Sequence, residues 1–192
     1  MRLLTSTLFA LLVAAAVGLG LTYFALTRGA AFGALTIGSW TAWPKTGTAD
    51  ADPYARATIA RTGELPVALG DGVSFTAQSD DDDRPLDGRC DVVLFGVTPA
   101  ARFWTLTLYN RDGGLVANSI DRFGFTSQEI VRRADGSFEI TVSPRATPGN
   151  WLPTAGVERY SLVLRLYDTA VGVATKAGRE VPMPSIETRR CP

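Results

Sequence analysis

Arg165 is the residue of this sequence whose type and position best suit binding chemistry. It lies in the middle of the apolar segment 160–167, which alternates as a strand does, so its charged side chain shares one face with Tyr167. A half-buried guanidinium requires a partner. Two interpretations stay open: a clamp for an anion or carboxylate in which Arg122 takes part, and a structural role with an ion pair to a residue such as Asp121 or hydrogen bonds to loop carbonyls.

Asn150 and Trp151 form a second candidate site. They follow Thr147, Pro148 and Gly149, which predicts a loop that enters a strand. An exposed indole would stack on a sugar or another flat ligand, and the Asn150 amide would supply both donors and acceptors. The alternative is that Trp151 caps the core while Asn150 hydrogen-bonds the loop backbone. The candidate ligand-binding residues are therefore Arg122, Asn150, Trp151, Arg165 and Tyr167.

Catalytic motifs are scarce in this sequence. It contains no histidine, which excludes Ser-His-Asp and Cys-His nucleophiles, histidine-ligated zinc and histidine general bases. We find no glycine-rich phosphate loop and no activated serine motif, and we expect no cofactor and no metal. Paired-carboxylate glycoside chemistry needs no histidine and stays open as an alternative; the carboxylates available for it are Asp121, Glu129, Glu139 and Glu158.

The acidic run Asp80–Asp83, with Asp87 close by, is the densest charge cluster. Five carboxylates would suit a hard cation such as calcium, but the spacing is not that of an EF-hand loop. We therefore predict a solvated, self-repelling loop.

Nineteen basic residues balance nineteen acidic ones over the chain, so no nucleic-acid partner is indicated.

Residues 3–26 form an uncharged segment rich in Leu, Ala, Val and Phe. As a helix it would reach about 36 Å, and a bilayer core needs about 30 Å. The alternative is a cleaved signal sequence, whose apolar region is shorter, about 7 to 15 residues. We predict a membrane anchor.

The two cysteines, Cys90 and Cys191, are not arranged as a C-x-x-C motif. After an export-type segment they predict one disulfide in an oxidising compartment. Two buried free thiols are the alternative.

The rest of the chain is mostly strand-like. The pattern predicts one short helix over 54–62, an edge strand within 34–43, and strands at 73–78, 91–95, 103–109, 138–142 and 160–167, with loops at 144–153 and 181–184. The turn Ala134-Asp135-Gly136 is expected to join a strand at 129–132 to the one at 138–142. This pattern favours a mainly β protein, an antiparallel β-sandwich of jelly-roll type, preceded by one transmembrane helix.

Several motifs along the second half resemble one known family. They are Phe103 to Tyr109 followed by Asp112-Gly113, then Asp121-Arg122-Phe123, Asp135-Gly136-Ser137, Asn150 to Pro153, and Leu162 to Tyr167. In this order and spacing they resemble the bacterial domain-of-unknown-function 1214 family. The resemblance covers roughly residues 75–184 and implies a jelly-roll-like β-sandwich, with no established reaction or ligand. Relatives often carry a second, larger domain ahead of this one, where we expect a membrane anchor here.

The sequence thus predicts three parts: an anchor at 1–28, a connector with one short helix at 29–72 that packs on the sandwich, and the sandwich at 73–192. We expect a single-pass protein of the inner (cytoplasmic) membrane whose C-terminal domain lies in the periplasm and binds or scaffolds an envelope protein or small ligand without catalysis. The first alternative is a carbohydrate-active hydrolase that uses Trp151 as a sugar platform. The second is a purely structural subunit that pairs through exposed strand edges.

Overall fold

A computed structural model describes residues 2–28, 34–43, 48, 51–62, 67, 71–172 and 181–192. The N-terminal helix α1 (Arg2–Arg28) is apolar, and its side chains from Arg2 to Phe24 are exposed. Its segment Arg2–Ala25 is long and apolar enough to cross a membrane, as an anchor or as a signal sequence does. The predicted short helix is α2 (Pro53–Thr62), where the Asp52 carboxylate accepts a hydrogen bond from the Ala55 backbone at 3.0 Å as an N-cap.

The described residues contain ten strands and one short 3-10 turn (Ala170–Gly172). In chain order the strands are β1 (Leu35–Ile37), β2 (Trp40–Ala42), β3 (Gly72–Ala77), β4 (Asp91–Gly96), β5 (Phe103–Asn110), β6 (Gly124–Thr126), β7 (Phe138–Ser143), β8 (Asn150–Pro153), β9 (Tyr160–Tyr167) and β10 (Ser185–Arg190).

The strands form two sheets. One has six strands in the order β1-β2-β3-β9-β5-β6, and the other has four in the order β10-β4-β7-β8. Every pair is antiparallel except β7 with β8, which is parallel. The mainly β, sandwich-like architecture with an N-terminal apolar helix is therefore confirmed.

The core lies between the two sheets and comes from alternate residues of each strand. In β5 the inward residues are Trp104, Leu106 and Leu108, each 1 or 2% exposed. Trp104 stacks against Phe138 of the opposite sheet, with ring centroids 5.5 Å apart. The strict alternation follows from the period of a strand with one face buried.

Side chains close both open edges of the sandwich. On one side the Trp40 indole donates to the Pro184 carbonyl at 2.7 Å. On the other side the Arg122 guanidinium donates to the Trp151 carbonyl at 3.0 Å and covers the Phe125 ring. The first bond joins β2 to the residue before β10, and the second joins the segment before β6 to β8, so both clasps hold the two layers together.

The Cys90–Cys191 disulfide ties the start of β4 to the end of β10 across a sequence separation of 101. The expected pairing is thus confirmed. Cys90 directly precedes β4 and Cys191 directly follows β10, and these two strands are neighbours in the four-stranded sheet. The bond fastens the C-terminal strand to the centre of that sheet.

Within the acidic run, Asp82 and Asp83 are exposed, as its charge predicts, whereas Asp80 and Asp81 accept hydrogen bonds from the chain. Asp80 is 1% exposed and accepts hydrogen bonds from the backbone of Asp82 and from the backbone and guanidinium of Arg84. Burial alone would raise the pKa of Asp80, but hydrogen bonds from Thr188, Arg84 and Asp82 outweigh it and hold the pKa below its ordinary value. Asp81 accepts from the Ile186 backbone at 3.2 Å. The expectation is wrong for this part of the run because the carboxylates bind the unpaired edge of β10.

Two further local predictions are wrong. Residues 150–153 form strand β8, not part of a loop, because they pair in parallel with β7. The Ala134-Asp135-Gly136 turn forms, but the segment before it contributes a single bridge, Arg132 with Phe138, instead of a strand.

Candidate functional site

The outward surface of the six-stranded sheet carries Arg165, and we call it the Arg165 face. The register of β3, β9 and β5 arranges it in rows of directly opposite residues. These rows are Gly72, Tyr167 and Phe103; Ser74, Arg165 and Thr105; Thr76, Val163 and Thr107; and Ser161 with Tyr109. Apart from Val163, the side chains in these rows are hydroxyls and aromatic rings, and Arg165 is the one charged residue among them.

Arg165 reaches along the face to Tyr109, which lies two rows away. The guanidinium donates to the Tyr109 hydroxyl at 3.2 Å and stands 5.5 Å from the centroid of its ring. Both side chains are half-buried. Since the row between them holds Val163, the two side chains meet above it, and Val163 is only 6% exposed. The long arginine stem is thereby held down on the sheet.

A second aromatic pair stands at the opposite end of the face. Phe103 and Tyr167 are cross-strand neighbours whose ring centroids are 5.9 Å apart with a tilt of 36°. Gly72 is the residue opposite Tyr167 on the other side, so no side chain stands beside the ring there. The Tyr167 ring therefore keeps one flank uncovered by the sheet.

The charge of Arg165 is not matched by a carboxylate in the part of the chain that the structure describes. Its side-chain partner there is Tyr109, not Asp121 or a loop carbonyl as one interpretation of the sequence expected. A guanidinium has five N–H donors, and the Tyr109 hydroxyl accepts from one of its nitrogens. This arrangement can bind an anionic or carboxylate group through two parallel hydrogen bonds.

The outward surface of the four-stranded sheet, here the paired face, differs in its charges. Asp91 accepts from Arg145 at 2.9 Å and from the Ser143 hydroxyl at 2.6 Å. The Ser143 hydrogen bond lowers the pKa of Asp91, burial opposes it, and Arg145 adds to the lowering. Ion pairs on the same face join Glu139 to Arg133 at 2.8 Å, with Arg189 further away at 4.0 Å.

Trp151 lies on the paired face, because its register partner in β7 is the outward residue Thr141. Its side chain is half-exposed. It does not cap the core. Its indole donates to the Ser143 carbonyl at 3.0 Å, which fixes the ring near the Asp91 and Arg145 pair. Of the five candidate residues, the structure therefore brings Trp151 next to Arg122 at one edge, and Arg165 next to Tyr167 on the other sheet.

Asn150 is 8% exposed and makes three hydrogen bonds to the backbone. Its amide oxygen accepts from Val131, and its amide nitrogen donates to the carbonyls of Val131 and Glu139. These bonds pin the segment before β7 to the edge strand β8, as the structural alternative expects.

Two of the four carboxylates considered for glycoside chemistry, Glu129 and Glu139, have separate partners. Glu129 accepts from the backbone and hydroxyl of Thr126, while Glu139 pairs with Arg133 on the paired face. Among the described residues no cluster of three or more His, Cys, Asp or Glu side chains could hold a metal ion.

A cavity of about 290 Å³ lies beside the β1–β2 turn, lined by residues that include Trp40, Asp81, Met183 and Pro184. Its polar groups bond within the chain: Trp40 donates to Pro184, and Asp81 accepts from Ser39 and from the Ile186 backbone. The cavity therefore offers its contents little directional polar contact.

Sequence reasoning missed Phe103, Tyr109, Ser74 and Thr105 as members of the Arg165 face. The signal was present in β5, where aromatic and threonine residues alternate with the buried ones. It pointed to the outward face, but only the strand register shows that Arg165 lies between these residues.

The family described as "Protein of unknown function (DUF1214)" matches residues 71–171, more than half of the chain. No curated protein matches. The family match covers β3 to the 3-10 turn after β9, and so contains every residue of the Arg165 face.

Two solved structures are similar in fold. The VPA0106 protein from Vibrio parahaemolyticus aligns over 73% of this chain and 36% of its own, with 24% identity and a TM-score of 0.58. An uncharacterised protein from Burkholderia cenocepacia aligns over 62% of this chain and 30% of its own, with 19% identity and a TM-score of 0.46. The chain thus corresponds to about a third of the length of each protein, and the first likeness supports the fold.

Proposed function

Since the chain belongs to the DUF1214 family of unknown function, we propose that it is a membrane-anchored binding protein of the cell envelope, without catalysis, whose ligand sits on the Arg165 face. In this account α1 is the anchor and the sandwich is the exported part.

The observation that carries the proposal is the unmatched guanidinium of Arg165. On the paired face Asp91 and Glu139 each lie within 2.9 Å of an arginine nitrogen, whereas the described partner of Arg165 is a tyrosine. Burying part of a cation costs free energy that an ion pair or ligand offsets. A cation beside hydroxyls and aromatic rings offers a ligand charge, hydrogen bonds and apolar contact on one surface.

Pairing through strand edges has less support. On the edge of β10, the Ile186 carbonyl accepts from the Asp81 backbone, and the Ile186 N–H donates to the Asp81 carboxylate. In the edge strand β8, the carbonyl of Trp151 accepts from Arg122. The remaining edges, β1 and β6, have three residues each. Short and covered edges are those that resist addition of a further strand.

The proposed location rests on α1 and on the disulfide. A disulfide between Cys90 and Cys191 is typical of an oxidising compartment, and α1 precedes it as an anchor or export segment would. A reporter enzyme that is active only after export, fused behind Pro192 of the full chain, tests the topology. We expect an active reporter that stays in the membrane fraction; activity only of a cytoplasmic reporter would contradict the location.

Hydroxyl-radical footprinting tests the binding face directly. The full chain is oxidised in native membranes and after purification in detergent, and the oxidation of Phe103, Tyr109 and Tyr167 is compared with that of Trp151. We expect the three residues of the Arg165 face to be protected in membranes only, and Trp151 to react equally in both.

Two arginine variants control this experiment. Arg165→Gln should abolish the protection, while Arg189→Gln, which removes the same charge from the paired face, should preserve it. Equal reactivity of the Arg165 face in membranes and detergent, or protection that survives Arg165→Gln, would overturn the proposal.

A further inference from the structure

The polar groups around Arg165 indicate the kind of ligand. Arg165 in β9 has Ser74 of β3 directly opposite on one side and Thr105 of β5 on the other. Thr126 of β6 stands opposite Thr105. Among these four residues Arg165 is the one cation; the Thr126 hydroxyl at the far end of the row donates to the Glu129 carboxylate, while Ser74 and Thr105 flank Arg165. Such a row suits a ligand with a single carboxylate among many hydroxyl groups.

Aromatic rings stand at both ends of the same face. Phe103 and Tyr167 occupy one end, and Tyr109 the other. Six residue steps along β5 separate Phe103 from Tyr109, a length of about 20 Å. Aromatic faces stack on flat apolar surfaces such as those of sugar rings, and the length suits an extended oligomer, not a single small anion.

Resting on the proposed function, we infer that the ligand of the Arg165 face is a glycan strand that carries carboxylate groups. The strand lies along β5 and β9, one carboxylate is bound by the guanidinium of Arg165, and sugar rings contact the aromatic residues at the two ends. An acidic peptide fits less well, because a dense row of carboxylates would meet one cation only.

Calorimetric titration of the full chain in detergent tests this inference. The probes are hyaluronan oligomers of increasing length, in which every second sugar carries a carboxylate, the same oligomers methyl-esterified, and poly-glutamate. We expect the acid oligomers to bind and the esterified ones, which have the same shape without the charge, to bind at least about tenfold more weakly. Poly-glutamate should be weaker by a similar factor.

Variants show which contacts are responsible. Arg165→Gln should weaken the acid oligomer about tenfold or more and remove its preference over the ester, and Arg165→Lys should fall in between, because an ammonium lacks the planar fork. Phe103→Ala should weaken only the oligomers long enough to reach that end. Arg189→Gln should behave as the unaltered protein.

Three results would overturn the inference. Equal binding of the ester means that the carboxylate is not recognised, and equal or tighter binding of poly-glutamate means an acidic protein partner. Absence of glycan binding together with retained footprint protection in membranes refutes the glycan while the binding face stands. Absence of both refutes the proposed function itself.

Discussion

The paired face and the Arg165 face cover opposite sides of one sandwich but use arginine differently. On the paired face, arginines meet carboxylates of the same chain, as Arg145 meets Asp91 and Arg133 meets Glu139. On the Arg165 face the single guanidinium rests on a tyrosine ring between rows of hydroxyls. The first arrangement satisfies its charges internally, and the second leaves one charge available to another molecule.

This difference separates stability from binding. Groups that bond within the chain should matter for the free energy of unfolding and not for a ligand. Groups left unmatched should matter for a ligand and contribute little to folding. Substitutions on the paired face should therefore change the free energy of unfolding and leave ligand binding unchanged. Substitutions on the Arg165 face should weaken ligand binding and leave the free energy of unfolding nearly unchanged.

The largest effect on stability is expected from the disulfide, which links two neighbouring strands of the four-stranded sheet at their ends. Replacing Cys90 and Cys191 by Ala should lower the free energy of unfolding by about 4 kcal/mol, because the bond closes a long loop. Urea denaturation followed by tryptophan fluorescence measures the change. Hydrogen exchange should rise in β4 and β10 well before it rises in β9; equal loss of protection in both sheets would contradict this division.

Asp91→Asn on the paired face should cost about 1 to 2 kcal/mol, because it weakens the bonds to Ser143 and Arg145. The pKa of Asp91 in the folded protein is below its usual 3.8, so its ionised form stabilises the fold. That contribution is complete above the unfolded pKa and is lost as the pH falls through the folded one.

Denaturation of the unaltered protein and of Asp91→Asn between pH 2 and pH 7 measures this dependence. We expect the difference to be constant near neutral pH and to shrink below about pH 4. Glu187→Gln is the control, since its contact with Arg189 is longer, at 3.8 Å, and exposed. A difference that grows toward low pH would refute the assigned role.

Arg122→Ala should destabilise by about 1 kcal/mol, because the bond to the Trp151 carbonyl and the cover over Phe125 are both lost. The matched variant is Arg102→Ala, whose side chain is 84% exposed and 4.0 Å from its nearest carboxylate. Thermal unfolding should separate the two. Equal melting temperatures would mean that Arg122 is not a clasp and is free for the ligand role that the sequence suggested.

The smallest effect on stability is expected from Arg165→Gln. The unfolding free energy should change by no more than about 0.5 kcal/mol, since no described carboxylate loses its partner. The same denaturation experiment measures it. A loss of 2 kcal/mol or more would place Arg165 with the structural arginines and remove the contrast between the faces.

Much of the fold was predictable because strands with one buried face repeat every two residues. The segment 103–109 was assigned with the correct faces, and 160–167 with the correct bounds. Strand β8 was missed because Asn150 to Pro153 lie among turn residues, and its partner in β7 is a parallel neighbour that no hairpin signals. Strand β10 was missed because polar and charged residues fill most of its length.

The candidate site was predictable only in part. The half-buried position of Arg165 follows from the alternation of one strand. Its contact with Tyr109, two rows away, depends on the register of β5 against β9. That register is set by the packing of the whole sandwich. Asp80 shows the same limit, since its burial depends on Thr188 and Arg84 and not on the neighbouring acidic residues.

Photo-crosslinking in intact cells tests the contrast between the two faces most directly. A photoreactive amino acid replaces either Thr105 on the Arg165 face or Thr141 on the paired face; both are half-buried, outward-facing threonines near the middle of a sheet. The account predicts an adduct at position 105, none at position 141, and loss of the first adduct in Arg165→Gln. No adduct at position 105, or equal adducts at both positions, would contradict it.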